Sequence, residues 1–264
     1  MSSVQCEKLL PLIDWRMFLL FWGFKGETLR QLLVNPEAEK TLKEGKRYLE
    51  KAINDDLLEV QALYNVELAT RKGNDIVLCS DGRLLPMLRS QSAAYRYRCL
   101  ADYFDEETPS PIGHFVVTAR PKQEPTDESG RLMMHALCAR LAEACAEWLE
   151  EKVKKLEGEA STLQLFSSST LRVAFGYASC PDHSLKRIVF DRLEAEQKLG
   201  VTLTDHYSIQ PSTSICGLFI FHPEAAYFPV GRIDRDQLVD YCQRRGITIE
   251  EGENLLSKFI VHNS

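Results

Sequence analysis

The sequence predicts an α+β fold, and three observations carry that prediction. The clearest helical periodicity runs over about 131–157, strand-like segments form a block before it at 60–119, and another block follows at 201–222. Nothing in that order resembles the β-α-β alternation of a doubly wound parallel sheet, so an antiparallel or mixed sheet with flanking helices is expected.

The elements follow in order. Asp14 precedes Trp15 and an apolar run as a helix cap would, and the run is continuous enough to be well buried. From Pro36 to about Asn54 the chain is charged and helix-favouring, with proline at the first turn, where its missing N–H costs little. Between Val60 and Ala119 come several strand-like segments, including the Asp81-Gly82 turn and a β-branched run at Ile112–Ala119. The polar stretch 121–130 reads as a mobile loop. In the long helix, Leu137, Leu141, Ala144, Cys145 and Trp148 mark the inner face, and Glu150–Lys154 and Glu151–Lys155 are outer pairs. A Ser-rich stretch, 167–170, follows, and then Pro181 and Asp182 open an amphipathic helix that ends at Gly200. Two strands at 201–209 and 214–222 are joined by Gln210-Pro211-Ser212. Asp234 with Gln237, and Thr248 with Glu251, have capping-box spacing, and Gly246 stops the helix between them.

Composition excludes several classes. The chain has 264 residues, 44% hydrophobic and 27% charged, with 32 basic against 38 acidic side chains. Those values rule out disorder, collagen and coiled coil. The longest apolar stretch, Leu9–Phe24, is broken by Asp14 and Arg16 and falls short of the ~20 apolar residues of a membrane span. No secretory leader is legible, so a cytoplasmic location is expected. The net charge of −6 disfavours a nucleic-acid partner, and Tyr95-Arg96-Tyr97-Arg98 reads as a solvated strand or loop. The eight cysteines include no CxxC pair, which points to reduced, inert thiols rather than a metal site. No GxGxxG, P-loop, GxSxG or HExxH motif is present.

An ordered series of short strings says more. It comprises Ile13-Asp14-Trp15, Cys99-Leu100-Ala101-Asp102, Ile112-Gly113-His114-Phe115, Leu141-Ala142-Glu143-Ala144, Arg172-Val173-Ala174-Phe175-Gly176-Tyr177 and Cys180-Pro181-Asp182-His183. It continues with Leu203-Thr204-Asp205, Ser214-Ile215-Cys216-Gly217, His222-Pro223, Tyr227-Phe228 and Asp236-Gln237 before Asp240-Tyr241. Over about 12–246 this series resembles the activation (reactivation) domain of cobalamin-dependent methionine synthase. The resemblance implies a single C-shaped α+β unit, here spanning 1–264, that binds S-adenosylmethionine and presents its methyl group to inactivated cobalamin. Cobalt is the nucleophile in that chemistry, so neither a catalytic side chain nor a metal site is expected in the chain itself.

The resemblance also assigns residues to the ligand. Arg172 suits the α-carboxylate through a two-pronged hydrogen bond, while Asp14 and Glu143 favour the ammonium and tolerate the sulfonium. Ala174 and Gly176 let the main chain approach the adenosine, Tyr227 and Phe228 meet the nucleoside, and Tyr177 adjoins the corrin. His183 belongs to the same motif. By pattern alone, Asp14 reads first as a helix cap, Glu143 as a solvated glutamate, Arg172 as a surface arginine and Gly176 as a turn glycine. Tyr227-Phe228 is then strand core and His183 a helix-start residue.

The sequence departs from the family where Val173, Phe175 and Ala178 replace residues of a proline-rich loop, which loses φ-fixing side chains. The acidic string before the long helix shrinks to Asp127-Glu128, and the connector before Arg172 lacks a Trp-Gly-Tyr segment. The homocysteine, folate and cobalamin modules are not in this sequence. The expectation is therefore a methionine synthase component acting in trans on cobalamin carried by a separate methionine synthase or other corrinoid protein, with a flavodoxin or ferredoxin-like electron donor. The alternative is a non-catalytic corrinoid-protein-binding or regulatory module that has lost productive S-adenosylmethionine binding.

Overall fold

The computed structural model describes residues 2–160 and 170–261. Its strands are β1 (Ser2–Ser3), β2 (Leu58–Lys72), β3 (Asp75–Leu78), β4 (Leu84–Pro86) and β5 (Ser110–Pro121), then β6 (Thr170–Ala174), β7 (Thr202–Leu203), β8 (Ile209–Gln210) and β9 (Ser214–Phe221). The helices are α1 (Trp15–Phe21), α2 (Leu29–Leu32), α3 (Pro36–Asn54) and α4 (Glu128–Ala160), then α5 (Lys186–Leu193), α6 (Ala195–Leu199), α7 (Arg235–Arg245) and α8 (Ile249–Leu256).

The main sheet runs β4-β3-β2-β5-β9-β6 with every pair antiparallel, and β1 joins the outer end of β2. This is the α+β arrangement expected from strand blocks without crossover helices. The pleat sorts the central strands between two cores. Phe115, Val117, Ala119, Phe219 and Phe221 face the layer of α1, α3 and α4, where the Phe115 and Phe219 rings stack at 4.5 Å. Ile112, Val116, Val173, Leu218 and Ile220 face the layer of α5 and α6. Both faces are covered, which explains why β2 and β5 show irregular alternation in the sequence. A third cluster joins Leu88 and Val230 to Leu238, Tyr241 and Leu256 of the C-terminal helices.

Local chemistry accounts for the helix boundaries. Asn35 accepts from Glu37 N at 2.9 Å ahead of Pro36, and α3 buries Ala38, Leu42, Leu49 and Ala52. The long helix starts earlier than its periodicity suggests, with Asp127 accepting from Gly130 N at 2.8 Å, so the polar loop ends before residue 128. Its inner face carries the expected Leu137, Leu141, Ala144 and Cys145. Lys154 takes both outer carboxylates, Glu150 at 3.0 Å and Glu151 at 3.1 Å, rather than leaving Glu151 to Lys155. The helix expected to run unbroken to Gly200 is divided at Glu194, whose φ is 53°. In α1 only Phe18 and Leu19 are buried, whereas Met17 and Phe21 are exposed, which corrects the expectation of a well-buried segment. Residues 167–169 of the Ser-rich stretch, and most of the connector before Arg172, lie outside the described residues. Among the described residues no helix is long and apolar enough to cross a membrane.

Candidate functional site

Among the described residues strand β6 lies at the end of the sheet and pairs only with β9, opposing Arg172 to Phe219 and Ala174 to Gly217. Gly217 permits this close approach, because a Cβ there would run into the Val173 carbonyl and the Phe115 ring. Leu171 and Val173 point into the α5 side, so Arg172 and Ala174 project toward α4.

There the Arg172 guanidinium meets two carboxylates. Its Nη1 lies 3.4 Å from Glu143 Oε2 and its Nε 3.5 Å from Glu150 Oε2. The two acids stand about two turns apart on one face of α4. Both distances exceed the ~2.7–2.9 Å of a strong charge-assisted hydrogen bond. The Arg172 side chain is 26% exposed, and its Nη2 makes no hydrogen bond to a described residue. Among the described residues the guanidinium is thus oriented without being saturated and keeps donors for an outside acceptor.

The chain then turns sharply. Gly176 has φ +90°, Gly176 N donates to the Cys180 carbonyl at 2.7 Å, and Cys180 N returns to the Tyr177 carbonyl at 2.9 Å. Tyr177 emerges from this turn 59% exposed. Partial burial raises its phenol pKa, and the Glu143 carboxylate and Tyr227 add to the rise while Arg140 and Arg172 oppose it. Glu143, Arg140, Arg172 and Tyr227 are thus near enough to Tyr177 to act on it electrostatically.

Segment 226–230 is clamped against the turn. Val230 N donates to the Ala178 carbonyl at 2.7 Å, Ser179 Oγ donates to the Phe228 carbonyl, and Tyr103 Oη contacts Ala226 N and O, each at 3.1 Å. The clamp separates the aromatic pair: Tyr227 is 55% exposed, whereas Phe228 is 1% exposed within the core. Tyr227 therefore presents its ring to solvent, and the Phe228 ring is held in the core.

Asp14 caps α1, accepting from Arg16 N at 2.9 Å and Met17 N at 3.1 Å, both through Oδ1. The capping reading of its pattern thus describes one oxygen, and Oδ2 makes no hydrogen bond to a described residue. Phe21 at the other end of α1 lies 6.0 Å from the His135 ring of α4. No hydrogen bond or ion pair among the described residues joins Asp14 to Arg172, Glu143 or Tyr227.

Gly176 holds a further feature. A Cβ built on it would fall within the His183 imidazole, so the space its missing side chain leaves is filled from inside the chain. His183 Nδ1 lies 2.5 Å from Lys186 Nζ, which also donates to the Tyr207 carbonyl at 2.8 Å. A lysine donor requires Nδ1 to accept, which leaves the proton of a neutral ring on Nε2. Burial and the Lys186 charge both hold the His183 pKa below its usual value.

Sequence reasoning took Glu150 as an outer partner of Lys154, whereas it is 16% exposed and also faces Arg172, and it did not single out Arg140 or Lys186. Glu150 was legible, because Glu143 and Glu150 share a helical face. Lys186 was not, since its burial depends on segment 204–208 folding over it.

Residues 5–246 match the family model described as vitamin B12 dependent methionine synthase, activation domain. Among solved structures, the crystal structure of the MetH reactivation domain bound to AdoHcy is similar over 99% of this chain and 90% of that one, with 28% sequence identity and a TM-score of 0.88.

Proposed function

The chain belongs to the activation-domain family of vitamin B12-dependent methionine synthase, and from that premise we propose that it binds S-adenosylmethionine on the surface between β6, α4 and the Tyr177 turn. In this reading it supports reductive methylation of cob(II)alamin carried by a separate methionine synthase or other corrinoid protein, with electrons from a flavodoxin or ferredoxin-like donor.

The observation that carries the reading is the Arg172 guanidinium held over Glu143 and Glu150 and unsaturated among the described residues, with Tyr177 and Tyr227 both exposed. A zwitterionic sulfonium requires both signs of charge within one small ligand's length. Arg172 receives the α-carboxylate; Glu143 favours the α-ammonium and sulfonium, and Asp14 supplies a further carboxylate from α1. Ala174 presents backbone at the free edge of β6, Tyr227 gives the nucleoside a flat surface, and the Phe228 contribution is main-chain only. Tyr177, 59% exposed, suits contact with the partner's corrin. When bound, S-adenosylmethionine supplies the transferable methyl and cobalamin the nucleophilic metal. The chain's residues fix the donor's position and screen its charge.

The AdoHcy bound by the similar MetH domain supports a ligand of this class. Calorimetric titration with S-adenosylmethionine tests the proposal. Micromolar-range binding that is lost in Arg172→Ala sustains it, and absence of binding by the unaltered chain overturns it.

One observation favours a second reading, a non-catalytic corrinoid-protein-binding module: the His183 ring covers the backbone at Gly176 that a nucleoside would approach. Binding that is absent in the unaltered protein and appears in His183→Ala would favour that reading.

A further inference from the structure

Beside the Tyr177 turn lies a cleft of about 250 Å³ whose lining includes Tyr177, His183, Lys186, Ser208 and Ser212. Lys186 is 6% exposed there, and its two hydrogen-bond partners, His183 Nδ1 and the Tyr207 carbonyl, are both neutral. Among the described residues no carboxylate stands at ion-pairing distance from it.

The nearest acid along the chain, Asp182, is committed elsewhere. It accepts from Tyr241 Oη at 2.6 Å, Ser184 N at 2.7 Å and Ser184 Oγ at 2.6 Å, and it faces Arg245 Nε at 3.5 Å. Lysines are seldom this buried unless paired, because two neutral acceptors only partly replace the hydration of an ammonium. Burial accordingly pulls the Lys186 pKa down. Lys258 adds a further positive influence at His183. The third ammonium N–H has no acceptor among the described residues.

We propose that this cleft takes an oxyanion, a carboxylate or phosphate-type group, with Lys186 as its counter-charge and the Ser208 and Ser212 hydroxyls as rim donors. An anion is preferred over a neutral acceptor because the uncompensated quantity is charge. His183 links the cleft to the turn: an oxyanion that takes over the Lys186 ammonium releases Nδ1, and the imidazole over Gly176 loses its tether. The cleft shares Ala174 and Tyr177 with the proposed methyl-donor surface, but the charge argument at Lys186 stands without that reading; only this link to the nucleoside face rests on it.

The test uses the full chain with ¹⁵N-labelled histidine, titrated with inorganic phosphate at fixed ionic strength, with chloride as the control and acetate as the carboxylate arm. The His183 resonances, assigned with His183→Gln, are expected to shift saturably with phosphate, acetate or both, which also distinguishes the two sources. Binding is expected to weaken about tenfold or more in Lys186→Met, the loss of one charge-assisted hydrogen bond. A His183 signal that follows ionic strength alone, or an equal response in Lys186→Met, overturns the proposal. Should that variant not fold, the unaltered protein's titration decides the matter by itself. Calorimetry with S-adenosylmethionine reads Arg172 rather than Lys186, so failure here is distinguishable from failure of the methyl-donor reading.

Discussion

His183 occupies the volume that any side chain at position 176 would need, and Gly176 holds a φ of +90° that L-residues rarely adopt. Two separate penalties therefore meet in Gly176→Ala. Backbone strain costs about 1–3 kcal/mol, and displacement of the ring adds to it. In His183→Ala the second penalty disappears while the first remains. The cost of Gly176→Ala in urea unfolding is expected to fall by about 1 kcal/mol or more in the His183→Ala background, a coupling that a double-mutant cycle reads directly. Equal costs in both backgrounds would mean that the ring does not stand over the turn in solution.

Arg172 is oriented by acids that are themselves partly solvated, so its removal is expected to cost little stability and much binding. Glu143 is 40% exposed and the contacts are long, which places the pair near the ~0–1 kcal/mol of surface ion pairs. Arg172→Ala should unfold within about 1 kcal/mol of the unaltered chain while losing S-adenosylmethionine affinity. Arg172→Lys is expected to recover only part of that affinity, because an ammonium cannot present two parallel donors to a carboxylate. Titration calorimetry beside denaturant unfolding separates the two effects. Full affinity in Arg172→Ala would remove the carboxylate contact from the proposal.

His114 gives the fold an acid-sensitive point remote from the groove. It is 0% exposed in the centre of β5, neither ring nitrogen has a hydrogen bond, and Glu67 Oε1 lies 3.5 Å from Nδ1. Burial, with a contribution from Arg192, lowers its pKa to about 3. The unfolded chain binds this proton near pH 6.5 and the folded chain does not until about pH 3. Stability is therefore intact above about 6.5 and falls as pH drops through that window, by about 1.4 kcal/mol per pH unit. His114→Leu is expected to flatten the pH dependence in urea unfolding, removing about 2 kcal/mol of the stability lost between pH 7 and 5. An unchanged slope would assign the acid sensitivity to other groups.

Much of the fold was legible because it obeys one period at a time. The Leu137, Leu141 and Cys145 stripe of α4 and the Thr248–Glu251 capping box survive intact, the latter with Thr248 N donating to Glu251 at 2.8 Å. The sequence misleads where one residue serves two masters. Asp234 caps α7 by accepting from Gln237 N at 2.9 Å, but the Gln237 amide leaves the cap for Arg89, 148 residues away, at 2.7 Å and 3.1 Å. Met17 and Phe21 look like core because an apolar run does not reveal which face solvent reaches. In the site, resemblance located Arg172 and Glu143, and periodicity could have added Glu150. The ring over position 176 and the unbalanced Lys186 exist only once distant segments meet, so no local pattern announces them.

The turn that carries His183 is anchored from below by Asp182, and that anchor links the groove to the C-terminal helices. Asp182 is 1% exposed, and the buried Tyr241 of α7 donates to its Oδ2 at 2.6 Å. Burial and the neighbouring carboxylate raise the Tyr241 pKa well above its usual value, so this phenol stays protonated and remains a donor. Tyr241→Phe keeps the packing but withdraws a donor from a buried charge, at a cost of about 1.5–3 kcal/mol. Asp182→Asn removes the charge that faces Arg245, and the carboxamide accepts through a single oxygen where the carboxylate accepts through two. If the anchor positions His183, both variants should change the imidazole resonances of His183, whose ring has no hydrogen bond to α7 among the described residues, in the folded protein. Destabilisation with those resonances unmoved would make the Asp182–Tyr241 contact a feature of stability alone.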